Sequence, residues 1–154
     1  MLQLFEDLAP FFTDNYREYG VREYARKRRI SAPTASRRLS EYTNEGLLIF
    51  REERGVHLYR ASREPLFIDL QRAHFRQLLE PLARTLKTRC VTSHIVLFGS
   101  AIKGSLSSES DLDIFVDAKR CDTDTPLIAG HEVQLHFNDV SDSVKRAIRR
   151  GLEL

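Results

Sequence analysis

The chain has 154 residues, enough for one ordinary domain or two small ones, and its 42% hydrophobic content is typical of a packed soluble protein. No apolar run is long enough to span a membrane, and the N-terminus lacks the basic segment and cleavage site of a signal peptide. The net charge is only +2, but basic residues gather before residue 39 and acidic residues after residue 108. This asymmetry suggests a different partner for each half of the chain.

The two cysteines show no spacing typical of a metal site or a redox motif. We therefore expect Cys90 and Cys121 to be unexposed, reduced thiols. By elimination, the composition predicts a cytoplasmic protein without a membrane partner.

The first 46 residues predict three helices. Residues 2–13 carry apolar residues at helical spacing, interrupted by Pro10, and residues 21–28 predict a second helix that ends in a turn at residues 29–31. The third helix is expected from about Ala32 to Glu45, with Ser31 as its N-cap and Gly46 as its C-cap. Its inner side is formed by Ala35, Leu39 and Tyr42, and its outer side by Thr34, Arg37, Arg38 and Glu41.

After Gly46 the apolar pattern predicts a hairpin, with strands at residues 47–51 and 57–60 around a turn at residues 52–55. Three helices, the third capped and basic, followed by a hairpin resemble a winged helix-turn-helix over residues 1–62. The resemblance implies binding to double-stranded DNA, with Thr34, Arg37 and Arg38 toward the major groove and Arg54 at the wing tip against phosphate. A winged helix used for protein contact remains the alternative.

Residues 63–90 predict one helix that connects the two halves. Pro65 suits its first turn, Pro81 predicts a kink or break, and we expect His74 to have a structural or surface role. Its apolar residues form one broad stripe, which indicates a packed helix rather than a loose linker; they are Leu66, Phe67, Leu70, Ala73, Leu78, Leu79, Leu82 and Leu86.

Residues 98–113 are the most informative segment of the chain. A Gly99-Ser100 turn follows an apolar strand at residues 94–98. The next strand is expected at residues 112–116, with Asp111 directly before it and Asp113 as its second residue. Residues i and i+2 of a strand share a face, so the two carboxylates point the same way and repel each other unless a cation lies between them. Mg²⁺ takes carboxylate and phosphate oxygens, and glycine lets the backbone approach a phosphate closely.

This pattern resembles the DNA polymerase beta-like nucleotidyltransferases, and within them the minimal nucleotidyltransferases of archaea and bacteria, over about residues 91–151. The resemblance implies Asp111 and Asp113 as ligands of Mg²⁺ or Mn²⁺ and as catalytic residues. It further implies an NTP as substrate or ligand, held by Gly99, Ser100, Lys103 and Ser110. Lys103 stands where many members of the family carry an arginine.

One departure from the family concerns its third carboxylate, which lies on the following strand, here residues 132–137. Val133, Leu135 and Phe137 alternate inward, so Glu132, Gln134 and His136 share the polar face. Gln134 aligns with the family acid and puts an amide where an ionised ligand or base belongs. Glu132 is the alternative third catalytic carboxylate, one step along the same face.

The sequence therefore predicts an α+β protein with a winged helix-turn-helix (1–62), a connecting helix (63–90) and a small mixed-sheet nucleotidyltransferase-like domain (91–154). A terminal helix is expected after Ser141 as its cap, with Val144, Ala147, Ile148 and Leu152 along one face. The expected function is a DNA-binding regulator that binds NTP and Mg²⁺ with weak or absent transfer. The alternative is an active enzyme that moves a nucleoside monophosphate from an NTP to a hydroxyl; the resemblance to minimal nucleotidyltransferases implies, as one form of this alternative, an antitoxin that modifies a partner protein. A short second core also favours a homodimer.

Overall fold

The computed structural model describes residues 2–154, and these form an α+β fold of five helices and two sheets. The helices are α1 (Leu2–Thr13), α2 (Val21–Arg28), α3 (Ala32–Asn44), α4 (Pro65–Arg89) and α5 (Asp142–Ile148). The strands are β1 (Tyr19–Gly20), β2 (Leu48–Glu53), β3 (Val56–Ala61), β4 (Ile95–Phe98), β5 (Leu112–Val116), β6 (Val133–His136) and β7 (Leu152–Glu153). None of the helices described over residues 2–154 is both long enough and apolar enough to cross a membrane.

The N-terminal helices lie close to their predicted positions. The second helix has its predicted bounds, and the third begins after Ser31, whose hydroxyl accepts a hydrogen bond from the Thr34 amide. The prediction that Pro10 interrupts the first helix is wrong, because α1 runs through it. Leu8, Phe11 and Phe12 are fully buried on either side of that proline, so packing of this face keeps the helix continuous.

The predicted hairpin is present with longer strands and a tighter turn. Strands β2 and β3 pair antiparallel up to Glu53 and Val56, and only Arg54 and Gly55 connect them. Both connecting residues have positive φ, 51° and 76°, which is the conformation of a two-residue hairpin turn. Strand β1, which the sequence did not predict, adds to the other side of β3.

Helix α4 is one continuous helix shared by two hydrophobic cores. The prediction of a break at Pro81 is wrong, since the helix continues to Arg89. Phe67 packs in the core of the N-terminal segment, whereas Phe75 belongs to the core under the second sheet. The predicted apolar stripe is partly wrong: Leu66, Ala73 and Leu78 are exposed.

The second sheet has the strand order β6-β5-β4-β7, with β5 and β6 parallel and the other pairs antiparallel. Leu112, Ile114 and Val116 alternate into the core, as predicted. The other face of β5 therefore carries Asp113 and Phe115. The predicted terminal helix is shorter than expected, because Leu152 lies in β7 beside Leu97 rather than on a helix face.

The expectation of two reduced cysteines is wrong. Cys90 and Cys121 form a disulfide with their Cα atoms 5.6 Å apart, within the ordinary range for such a bridge. Cys90 ends α4 and Cys121 lies in the loop between β5 and β6, so the fold brings together residues that are distant in sequence. The disulfide removes the thiol argument for a cytoplasmic location.

Candidate nucleotide and metal site

The turn after β4 lies directly against one of the two predicted aspartates. Gly99 has φ +81°, and a Cβ atom at this position would lie 2.5 Å from Asp113 Oδ2. Both the conformation and the space therefore require glycine here. Asp113 pairs with Phe98 across β4 and β5, which places its carboxylate beside the turn.

Two residues of β6 flank Asp113 on the polar face of the sheet. Gln134 is its register partner, which confirms the prediction that this amide lies on the neighbouring strand beside the aspartates. His136 Nε2 lies 2.9 Å from Asp113 Oδ1 and donates to it, because an ionised carboxylate only accepts. The His136 ring packs edge-on against Phe98, with the ring centres 5.0 Å apart.

Asp111 and Glu132 are both exposed at the edge of this site. The Leu112 amide donates to the Glu132 carbonyl at 2.8 Å, so these two segments remain adjacent before β5 and β6 begin. Within residues 2–154, however, no group of three His, Cys, Asp or Glu side chains is placed to hold a metal ion. Glu132 therefore does not complete a three-carboxylate cluster with the two aspartates.

The remaining predicted nucleotide contacts lie in the loop that joins β4 to β5. The Ser100 carbonyl accepts from the amides of Lys103 and Ser105, which closes the turn. Lys103 is exposed, so its ammonium group is accessible to a phosphate. The Ser110 hydroxyl accepts from the Ser107 amide at 3.0 Å, so it stabilises the loop just before Asp111.

The donor set fits a divalent cation that is completed by ligands from outside the protein. Mg²⁺ keeps several waters and is commonly held by one or two carboxylates plus substrate phosphates. Asp111 and Asp113 provide the carboxylates, and the Asp113 carboxylate lies directly against the Gly99 turn. Such a cation would neutralise phosphate charge and orient the nucleotide.

A buried polar network fixes this loop to the N-terminal segment. Asn15 donates to Gln71 Oε1 at 2.8 Å and accepts from the Leu106 amide at 2.8 Å, while Gln71 donates to the Ala101 carbonyl at 2.8 Å. The backbone amide of Asn15 also donates to the Leu106 carbonyl. Sequence reasoning missed this pair, although Gln71 lies between Phe67 and Phe75 at core spacing and so signals a buried polar contact.

His131 makes a second connection between the same regions. It is 3% exposed, and its ring nitrogens lie 2.7 Å from the Ser110 carbonyl and 2.9 Å from the Thr13 carbonyl. The end of α1 is therefore tied to the residue that precedes Asp111.

Candidate nucleic-acid interface

The predicted DNA contacts occupy different environments. The Arg38 guanidinium donates to both oxygens of Asp7, at 2.8 and 2.9 Å, so the expectation that it projects outward with Arg37 is wrong. Arg37 is exposed and pairs with Glu41 at 2.9 Å. Thr34 lies in the capped first turn of α3, and Arg54 is exposed at the tip of the hairpin.

Asp7 explains why Arg38 points inward. The carboxyl group is fully buried, and it also accepts from Arg28 and from the Tyr42 hydroxyl at 2.7 Å. Burial, and secondarily this hydrogen bond, raises the pKa of the Tyr42 phenol. One carboxylate therefore joins α1, α2 and α3, and Arg38 serves this junction.

A basic groove lies on α2 and the turn after it; its arginines belong to the basic cluster before residue 39, but they are not among the DNA contacts expected from the sequence. Arg22, Arg26 and Arg29 line an open groove of about 680 Å³ together with Ile30. Among the residues that the structure describes, no carboxylate forms a salt bridge with any of these three arginines, although seven other arginines have one. Arg22 and Arg26 also line a neighbouring cleft of about 700 Å³ between α2, α3 and β3.

Comparisons of the chain with protein-family models, with curated proteins and with solved structures found no match.

Proposed function

We propose that this chain is a DNA-binding regulator whose C-terminal segment binds a nucleoside triphosphate with Mg²⁺ and has weak or absent transfer activity. The proposed architecture is a winged helix-turn-helix joined by α4 to a minimal nucleotidyltransferase-like unit. The order of α2, α3 and the β2–β3 hairpin supports the first part. The observation that carries the second part is the contact of Asp113 with the Gly99 turn, because it places a carboxylate that could hold a cation beside the glycine expected to face a phosphate.

The proposal for DNA binding rests on the basic groove. Arginines without a carboxylate partner keep their charge available for phosphates, and neutralising phosphates releases counterions. We therefore assign backbone contacts to Arg22, Arg26 and Arg29, and to Arg54 at the hairpin tip. Arg37 remains a candidate for the major groove, because only an exposed pair with Glu41 occupies it.

A labelled duplex of mixed sequence tests the DNA proposal by fluorescence anisotropy at about 50 and about 200 mM salt. We expect the variant Arg22→Ala/Arg26→Ala/Arg29→Ala to bind at least about tenfold more weakly. The slope of log affinity against log salt concentration should also be shallower, by the amount expected for the loss of about three phosphate contacts. The control Arg84→Ala/Arg89→Ala/Lys119→Ala removes the same charge from exposed positions elsewhere. Equal losses in both variants would reject the assignment of the groove.

A second candidate function is active nucleotidyl transfer, which the presence of both aspartates, with Asp113 beside Gly99, favours. Gln134 weighs against it, because an amide next to Asp113 cannot accept a proton or neutralise a second cation. Labelled ATP, CTP, GTP and UTP with Mg²⁺, alone and with candidate partners, distinguish the two. We expect no transfer by the wild type and the largest gain from Gln134→Asp or Gln134→Glu. Robust wild-type transfer that disappears in Glu132→Gln would establish the enzyme instead.

A further inference from the structure

We propose that His136 is a positioning residue that holds Asp113 as a one-oxygen ligand, and that the site binds one divalent cation per nucleotide rather than two. This inference rests on the proposed function of the same site. It differs from the arrangement implied by the family resemblance, in which a third carboxylate stands on the strand that here carries Gln134 and His136.

The two oxygens of Asp113 have different surroundings. Oδ1 accepts a hydrogen bond from His136 Nε2 at 2.9 Å, whereas Oδ2 faces the Gly99 backbone. A cation that binds Asp113 through Oδ2, on the side of the Gly99 turn, therefore leaves the His136 hydrogen bond to Oδ1 intact. Hydrogen bonds to a ligating carboxylate orient it and tune its affinity for metal.

The His136 ring is itself held in place. It belongs to β6, where it is the register partner of Phe115 on β5, and it packs edge-on against the buried Phe98. The side chains of His136 and Asp113 are only 20% and 27% exposed. This shelter makes the hydrogen bond stronger than the same bond in open solvent.

The charge of the site supports a single cation. Asp111 and Asp113 contribute two negative charges, Gln134 contributes none, and within residues 2–154 Glu132 forms no metal-holding group with them. A second cation at these side chains would be repelled by the first, because no further carboxylate is present to offset the added positive charge. One cation shared by the two aspartates and the phosphates avoids that repulsion.

The test counts Mn²⁺ by electron paramagnetic resonance, with the full chain and a non-hydrolysable NTP analogue present. We expect one Mn²⁺ per chain in the wild type. His136→Leu removes the donor and is expected to lower Mn²⁺ affinity by about 10- to 100-fold. His136→Gln can place its amide nitrogen near the lost Nε2 position, so it should restore most of the affinity. The control His94→Leu changes an exposed histidine beside the same sheet and should bind as the wild type does.

Two Mn²⁺ ions per chain, or unchanged affinity in His136→Leu, would overturn this inference while leaving nucleotide binding intact. Absence of Mn²⁺ and analogue binding in the wild type would overturn the proposed function as well. Imidazole nitrogen NMR of the metal-free wild type gives a readout that needs no variant to fold. It should show hydrogen on Nε2 of His136, and a ring without it would contradict the contact with Asp113.

Discussion

Arg38 donates two hydrogen bonds to Asp7, and each of the two charged residues lies at a position of its helix where the spacing predicts a core residue. Asp7 lies between Leu4 and Phe11 at core spacing on α1, and Arg38 follows Ala35 by three residues on α3. A charged residue at such a position needs a buried partner, and each provides one for the other. This pair, with Arg28 and Tyr42, connects the three N-terminal helices.

Removing the Asp7 carboxyl group should destabilise the fold strongly. We expect Asp7→Ala to lower the free energy of unfolding by about 3–5 kcal/mol, because Arg38 then loses its carboxylate partner in a sheltered site, while Arg28 still pairs with the exposed Glu6. Urea unfolding measures the change. Glu41→Ala, which removes only the exposed partner of Arg37, should cost less than about 1 kcal/mol. A similar small cost for both variants would show that the Asp7 junction contributes little.

The contact between Gly99 and Asp113 predicts a specific cost for alanine. Gly99→Ala adds both backbone strain and a clash with the carboxylate, whereas Gly130→Ala adds strain alone, since nothing lies within 4 Å of a Cβ there. We expect Gly99→Ala to cost about 1–3 kcal/mol more than Gly130→Ala and to lose nucleotide binding. Thermal unfolding and calorimetry measure the two effects, and equal behaviour of the variants would argue against the contact.

His74 should make stability depend on pH. Burial among Phe5, Phe12 and Phe75 lowers the pKa of its imidazole from 6.5 to about 4. The unfolded chain therefore binds the proton first, so the contribution of His74 is complete above pH 6.5 and is lost as the pH falls toward 4. We expect about 1–2 kcal/mol of this loss between pH 7 and pH 5. In His74→Phe the loss should be absent, and an unchanged pH dependence would contradict the assignment.

The disulfide should contribute measurably to stability. Cys90 and Cys121 are separated by 31 residues, so closing that loop restricts the unfolded chain by an amount worth about 3–4 kcal/mol. A reductant should therefore lower the midpoint of urea unfolding of the wild type. The midpoint of the variant Cys90→Ser/Cys121→Ser should be the same with and without the reductant. Thiols that react freely in the native wild type would show that the bridge is absent.

Local signals sufficed for much of the fold. The bounds of α2, the N-cap at Ser31 and the alternation of β5 depend on neighbours in sequence, so they were predictable. Strands β1 and β7 have only two residues each and exist because distant strands pair with them, so no local pattern indicates them. Pro10 and Pro81 were overestimated as helix breakers because burial of adjacent residues outweighed the lost hydrogen bond.

The candidate site was predictable in its residue types but not in its contacts. Strand period put Gln134 on the polar face of its strand, the family resemblance implied that this strand lies beside the aspartates, and the register of β5 and β6 pairs Gln134 with Asp113. The donation from His136 and the fixing of the loop by Asn15 and Gln71 depend on how three elements meet, which the sequence does not reveal. The charge of Arg38 favours an outward position, whereas its helical position three residues after the buried Ala35 favours the inward contact with Asp7 that the structure has.

The most direct test of the nucleotide site is calorimetry of each Mg²⁺·NTP with the wild type, Asp111→Asn, Asp113→Asn and the control Asp117→Asn. Asp117 is exposed and follows β5, and it is not one of the two proposed metal ligands. We predict binding heat for the wild type and Asp117→Asn with at least one nucleotide, and none for the other two variants. The same heat for the wild type and Asp113→Asn, or no heat with any of the four nucleotides, would contradict a nucleotide site at Asp111 and Asp113.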